Sequence, residues 1–413
     1  MGKSIESEAA ARAWPAEGWT RVPYWIYTDP DLYARELETF FYGRGWNYVG
    51  LDCEVPAPGD YKRAWIGERQ VVVVRTKDGS IAAWENRCAH RGARLVWKNR
   101  GHEESFTCAY HQWNFNLDGR LQGVPLKRGV LGKGGMPPDF DNATHGLCRL
   151  RVHVEGGSIW ASFAPDGPTF AEYCGPEMHQ HVTRIFSGRP LKLLGYSRQL
   201  IPSNWKMYVE NLKDPYHATL LHAFLITFGL WRADTQSESV PVAEGKHGIM
   251  VSRNVGKSSA ESATEMARNK NRLVLEDTDT VTPIREFDDG KVIGLTIFPS
   301  VVMHQQANTL GMRNIIPKGP GAFELSWTYY GFADESPELT RLRLRHANLY
   351  GPAGYVAMED GEVLAESQLG AAEYGHRNAV LEMGGKDVAP QDHMVTEVLI
   401  RAFYRYYREA MGL

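Results

Sequence analysis

Hydrophobic and polar positions change their rhythm along this chain, and each change predicts a different element. Near the start, Tyr33, Leu37, Phe40 and Phe41 recur at helical spacing behind Asp29 and Pro30. An Asp cap followed by Pro in the first turn predicts a helix there. From Gly59 to Asp166 the pattern shortens to strands. Val71–Arg75 and Ile81–Glu85 flank Lys77-Asp78-Gly79, and Trp113–Leu117 and Leu121–Val124 flank Asp118-Gly119-Arg120. Both read as β-hairpins. Strands resume over Cys148–Phe163, and Pro165-Asp166-Gly167-Pro168 marks a boundary. The segment is long enough for a small all-β domain.

Beyond residue 169 the pattern is mixed. Asn204–Phe228 reads as mostly helical. Residues 253–275, rich in Ser, Ala, Glu, Lys and Asn, read as a loop or lid. Val292–Val302, Ala307–Ile316 and Ala322–Ala333 read as strands of an antiparallel sheet. Ser336-Pro337 opens a helix carrying Leu339, Leu342 and Leu349, which Gly351-Pro352 ends. A last helix over about 392–411 stacks Val395, Leu399, Phe403 and Tyr406. The expected division of the chain is 1–45, 46–168 and 169–413.

Composition narrows the classes. The 413 residues are 43% hydrophobic and 23% charged, a globular profile, with a net charge of -3 that gives no reason to expect nucleic acid or an anionic membrane. Apolar runs such as the valines 71–74 are far too short to span a bilayer. The first residues lack the apolar core of a signal peptide, and Glu6 breaks a myristoylation pattern, so a cytoplasmic location is expected. Five cysteines in such a chain are not a disulfide framework. The Gly-rich stretch 128–135 lacks the strand–GKS–helix context of a phosphate loop and reads as a surface loop or subunit contact.

Chemistry enters at two places. Cys88-Ala89-His90 is followed, after seventeen residues, by Cys108-Ala109-Tyr110-His111. Two thiolates and two imidazoles could hold a tetrahedral zinc. The pairing of Cys with His in each half suits instead a two-iron cluster with Cys on one iron and His on the other. The second place is Asp214-Pro215-Tyr216-His217-Ala218-Thr219-Leu220-Leu221-His222. Histidines five apart point about 140° from each other on an ideal helix. A shared metal ion therefore needs a helix start or a break, which Pro215 offers.

With Arg91-Gly92 after its first half and Trp113 after its second, the C-x-H-x17-C-x2-H motif resembles a Rieske [2Fe-2S] domain. Together with Glu210-Asn211-x2-Asp214-x2-His217-x4-His222, the chain resembles, over essentially its whole length, the large (alpha) subunit of Rieske non-haem iron aromatic-ring-hydroxylating oxygenases. The resemblance implies an α+β protein: an all-β Rieske domain inserted in a helix-grip catalytic domain with an antiparallel sheet and helices. It implies a [2Fe-2S] cluster on Cys88, His90, Cys108 and His111, and a mononuclear Fe(II) on His217, His222 and Asp360. Asp360 follows a Gly-Pro-Ala-Gly segment, with Glu359 and Glu362 as neighbouring candidates. Asp214 and Asn211 become candidate catalytic residues, Asp214 as the link between His217 and His111 of a neighbouring subunit in a trimeric ring. It also implies O2 as the oxidant, with electrons from NAD(P)H through a flavin reductase or ferredoxin. A small beta subunit is expected, giving α3β3, with α3 as the alternative.

Within that family the chain resembles most the large subunits acting on benzoates: salicylate 5-hydroxylase, anthranilate 1,2-dioxygenase and terephthalate dioxygenase. Gly229–Asp234 and Asp392–Glu397 resemble the first of these. A carboxylate substrate needs a cation, and Arg is the usual clamp. Arg313 is expected on one strand face with Gln305, Ala307, Thr309 and Gly311. His247 and Met250 are further pocket candidates, and His393 replaces a second arginine of the terephthalate enzymes. The expected reaction is 5-hydroxylation of salicylate to gentisate, with anthranilate oxidation to catechol and then terephthalate oxidation as alternatives. A non-catalytic Rieske electron-transfer protein or a zinc protein is the rival of a different class.

Overall fold

The computed structural model describes residues 12–253, 273, 275–278, 281, 284, 286–287 and 291–413. The lid expected over 253–275 falls almost wholly outside them. The chain forms two compact units. One comprises Phe40–Phe170 and Phe186–Leu191, and the other the chain up to Thr39 with Ala171–Ile185 and Lys192–Leu413.

The first unit is a seven-stranded sheet with a small three-stranded one. Arg69–Arg75 pairs antiparallel with Ile81–Glu85, Arg75 opposite Ile81. The tight turn between them places Gly79 at φ +85°, a conformation that costs glycine nothing. Val71, Val72, Val73 and Val74 are all fully buried, so this strand is covered on both faces. Val72, Val74 and Trp84 pack with Phe106, Trp113 and Phe115 around Cys88 and Cys108. The apolar core thus surrounds the two thiols.

The second unit is built on a seven-stranded sheet. Its helices include α1 (Pro30–Glu36), α2 (Pro176–Ile185), α3 (Trp205–Asn211), α4 (Pro215–Ala218), α5 (Ala223–Thr227), α6 (Pro337–Tyr350), α7 (Ala357–Glu373) and α8 (Val398–Met411). The strands of that sheet are β1 (Leu191–Ile201), β2 (Gln236–Val242), β3 (His247–Arg253), β4 (Lys291–Ile297), β5 (Val301–Gln306), β6 (Thr309–Pro317) and β7 (Phe323–Phe332), in spatial order β1-β7-β6-β5-β4-β3-β2, and a separate pair joins Arg21–Pro23 to Asn378–Val380. The five pairings from β2 to β7 are antiparallel.

Three differences from the sequence pattern bear on the site. The strand expected over 292–302 is two strands, because Pro299 has no N–H for the ladder. The strand expected to run through Ala307 begins only at Thr309: Ala307, at φ +49°, lies in the turn of a β5–β6 hairpin. The last helix begins at Val398, whose N–H is taken by Thr396 Oγ1, and so leaves residues 392–397 irregular.

A buried ion pair anchors α3. Glu36 of α1 lies 2.7 Å from Lys206 Nζ, both side chains without solvent exposure, and also accepts from Trp205 Nε1 and Tyr407 OH. Removing one member of such a pair costs about 3–5 kcal/mol, since the other is left charged and unpaired. The helix that leads into the His/Asp stretch is therefore held from behind by α1 and α8.

Candidate active site

The two Cys/His halves fold into equivalent loops. Cys88 donates its N–H to Ala93 O and accepts from Gly92 N–H; Cys108 donates to Trp113 O and accepts from Gln112 N–H. Each loop turns at its fifth residue with positive φ, +75° at Gly92 and +58° at Gln112. Both cysteines are 2% exposed and neither is in a disulfide. The His90 and His111 rings lie 4.6 Å apart, and His90 stacks at 4.6 Å on Trp113. Two thiols buried in the core and two more exposed imidazoles beside each other fit a two-iron cluster with one iron on sulfur and one on nitrogen.

In the second unit, backbone breaks do what an uninterrupted helix could not. Asp214 caps α4, accepting from the N–H groups of Tyr216 (2.8 Å) and His217 (3.3 Å), and His222 opens α5. Asp360 lies in the first turn of α7. Its Oδ1 is 3.5 Å from His217 Nε2 and 3.6 Å from His222 Nε2. One ligand atom from each of the three residues lies within 4.8 Å of the others. Each imidazole turns its other nitrogen to a second carboxylate: His217 Nδ1 to Asp214 Oδ2 at 3.3 Å, His222 Nδ1 to Glu359 Oε2 at 3.0 Å. Asn211 Nδ2 donates to Asp360 Oδ1 at 3.1 Å and stands 3.3 Å from His217 Nε2.

Electrostatics match a cation site. Burial pulls the His217 pKa down, but Asp214 and Asp360 outweigh it and carry it up to about 10. Burial lowers that of His222 against the pull of Asp360. Burial raises that of Asp360, yet His217, His222 and Asn211 hold it below the usual carboxylate range. Two imidazoles and one carboxylate gathered on one side leave positions free at a non-haem iron, and these residues fit that ion.

Two recesses adjoin the cluster and share Asn211, Asp214 and His217. A wide one of about 760 Å³ is lined by Tyr27, Glu210, Tyr374 and Glu397 among others. The narrower one, about 110 Å³, lies against one face of the sheet. That is somewhat below the roughly 150 Å³ of an apolar cavity known to take benzene, so one aromatic ring is the upper limit of what it admits. Strand pairing sets the face in register: Ser239, Met250, Gly294, His304 and Gly311 stand opposite one another across β2–β6. Arg313, two residues beyond Gly311, is 7% exposed and lines the same cavity. Its Nε donates to His304 Nδ1 (3.2 Å), its Nη1 reaches Tyr208 OH (3.5 Å), and it lies 4.3 Å over the Trp327 ring. Burial and Arg313 push the His304 pKa well down, and burial raises that of Tyr208 to about 12, so both are neutral partners.

One expected strand face and one expected pocket residue need correction. Gln305 borders the cavity but does not share the face of Arg313, because the β5–β6 turn pairs Val302 with Arg313 and so puts Gln305 on the alternate face; its amide oxygen accepts from Arg184 Nη1 at 2.6 Å. His247 is fully buried on the opposite face from Met250, with Nε2 2.8 Å from Tyr173 O and Nδ1 accepting from Phe298 N–H. It is a core histidine. Met250 lines the cavity as expected; His393 bonds Gln391 instead, and Met394 lines the wall. The sequence reading missed Ser237, Ser239, His304 and Trp231 in the lining and the role of Glu359. Of these, only His304 had a signal, its alternation with Val302 on an apolar strand.

A cluster loop of the Cys/His kind in one unit and a two-His, one-carboxylate cluster in the other define an iron-dependent oxygenase rather than a simple electron carrier. Comparison with known proteins agrees. The sequence matches the Rieske [2Fe-2S] domain over residues 45–132 and the Ring hydroxylating alpha subunit (catalytic domain) over 177–413. It is 48% identical to the large oxygenase component of salicylate 5-hydroxylase from Ralstonia sp, covering 97% of this chain and 96% of that protein. It is 42% identical to the anthranilate 1,2-dioxygenase large subunit of Burkholderia cepacia (99% and 97% covered). Identity to the terephthalate 1,2-dioxygenase terminal oxygenase subunit alpha 2 of Comamonas sp is 40% (97% and 97%). The fold resembles naphthalene 1,2-dioxygenase with indole bound in its active site, TM-score 0.78 at 26% identity, covering 95% of this chain and 92% of that one.

The chain belongs to the alpha subunits of the ring-hydroxylating Rieske non-haem iron oxygenases. Its cofactors are accordingly a Rieske [2Fe-2S] cluster and a mononuclear iron. Among the described residues no helix is long and apolar enough to cross a membrane.

Proposed function

We propose that this chain hydroxylates an aromatic carboxylate, and that the substrate is salicylate, converted to gentisate. The observation that carries the carboxylate is Arg313. Its guanidinium is buried at a cavity wall, and among the described residues its contacts are all neutral. A buried cation without a counter-ion is costly, and a substrate carboxylate supplies one. Among the described residues lining the cavity, Arg313 is the one Arg or Lys. A para-dicarboxylate such as terephthalate would leave its second charge against Ser237, Ser239 and Met394, which weighs against it. The higher identity to the salicylate enzyme, 48% against 42%, favours salicylate over anthranilate.

In this reading Cys88, His90, Cys108 and His111 hold the cluster, and His217, His222 and Asp360 hold the iron. The metals supply one-electron transfer and activation of O2. The balance is salicylate plus O2, two electrons and two protons, giving gentisate and water. The protein's own groups position: Arg313 and His304 fix the carboxylate, Gly294 leaves room for the ring, and Asp214 and Glu359 hold the imidazoles with Nε2 inward. Asn211 holds Asp360. Electrons come from NAD(P)H through a flavin reductase or ferredoxin. The subunits form a trimer, α3 or α3β3 with a small beta subunit, in which His111 of the partner subunit seats in the wide recess beside Asp214.

Single turnover of the chemically reduced protein with salicylate, anthranilate and terephthalate, with products identified by mass, tests this. Gentisate from salicylate is expected. Catechol from anthranilate alone would keep the carboxylate and replace the substrate; no product from any of the three, with iron fully loaded, would overturn the carboxylate reading.

A further inference from the structure

The cavity wall remote from Arg313 carries polar atoms that salicylate leaves unused. Ser237 and Ser239 are two residues apart on β2, so both side chains stand on the cavity face. Both line the cavity, at 5% and 1% exposure. Neither Oγ has a hydrogen-bond partner among the described residues. Buried hydroxyls are normally satisfied, and two unpartnered ones side by side on a binding cavity point to a ligand group that completes them.

Sheet order says which part of a ligand they meet. Three strands, β3 to β5, separate β2 from β6. Four spacings put the serine strand about 19 Å from the strand of Arg313. An ortho substituent lies beside the carboxylate and cannot bridge that span. The side chains shorten it from both ends, and a single ring with a polar group on its far edge bridges the rest. Gly294 lies between, with only Met250 Cε within 4 Å of where its Cβ would be, so the floor under the ring is open.

We propose that Ser237 and Ser239 form a second polar subsite that binds a hydroxyl or amino group on the ring edge opposite the carboxylate, meta or para to it. This rests on the aromatic-carboxylate reading above. The subsite takes dihydroxybenzoates as ligands, including one whose far hydroxyl the reaction has just installed. Serine hydroxyls both donate and accept, so either a phenol or an amine is matched. A second carboxylate is not, because no cation stands there.

The test is calorimetric binding to the oxidised holoenzyme of salicylate, 2,4-dihydroxybenzoate and 2,5-dihydroxybenzoate, in the parent and in the Ser237→Ala/Ser239→Ala variant. One added hydrogen-bonded hydroxyl should tighten binding about ten-fold over salicylate for at least one dihydroxybenzoate in the parent. That ratio should collapse towards one in the variant. The Rieske absorption of the variant reports that it is folded and loaded. No gain in the parent, or a gain that survives in the variant, overturns the subsite. Arg313→Gln separates the two ideas: if salicylate binds the parent and fails here while the far hydroxyl gives no gain, only the subsite falls. If salicylate does not bind the parent at all, the aromatic-carboxylate reading falls and the subsite with it.

Discussion

Glu359 holds His222. Its Oε2 lies 3.0 Å from His222 Nδ1, and its Oε1 accepts the Ala223 N–H at 3.2 Å, so one carboxylate fixes both the ring and the start of α5. Asp214 does the same for His217 and the start of α4. The site is thus a pair of carboxylate–imidazole units closing on Asp360. Glu359→Ala should cost 10–100-fold in iron affinity, with Glu359→Gln recovering part of it. Iron retained against graded chelator, with the Rieske absorption as internal control, measures this. Unchanged retention would mean that α5 alone orients the ring.

Asp214→Asn should keep both metal centres but slow oxidation of the reduced cluster by O2 in the presence of substrate. Stopped-flow at the cluster's absorption band reads it. Equal single-turnover rates in variant and parent would leave Asp214 as a helix cap only.

Arg313→Ala should weaken binding of benzoate-type ligands by about ten-fold or more, as expected when a charged hydrogen-bonded contact is lost. Neutral aromatic ligands of the same size should lose far less. Equal losses for both would return Arg313 to a packing role against Trp327.

Gly311 is where the His304 ring passes closest to the sheet. A Cβ there would stand 2.6 Å from His304 Cε1. Gly311→Ala should therefore displace the imidazole and break its bond with Arg313, costing about 1–3 kcal/mol of stability, the range for overpacking. Thermal unfolding and benzoate titration should both respond; an unchanged affinity would show that His304 is not needed to aim Arg313.

Glu210 lines the wide recess and accepts from Tyr27 OH and Tyr404 OH. Burial raises its pKa, against the two tyrosines and Lys206, to about 7 from an ordinary 4.5. The folded state therefore holds a proton that the unfolded chain gives up. The resulting stability is fully present below about pH 4.5 and is lost as pH rises through about 7. Glu210→Gln should flatten the dependence of Tm on pH across that window. A parallel pair of profiles would show that another group carries it.

Much of this was written locally in the chain. The Cys88–His90 and Cys108–His111 spacings specify two short loops closed by their own backbone bonds, and Asp29-Pro30, Ser336-Pro337 and the Gly79 turn are signals read within a few residues. Such features depend on near neighbours, so the sequence determined them. Asp360 was placed by resemblance alone, since 138 residues separate it from His222 and no local pattern makes a helical Asp a ligand. Register decided the pocket. Because side chains alternate faces, the two-residue turn at Ala307-Asn308 sent Gln305 to Arg184 and set His304 beside Arg313. The same alternation turned His247 into the core. Only the paired sheet could place Ser237 and Ser239 across the cavity from Arg313, because that relation is set by strand order and not by distance along the chain.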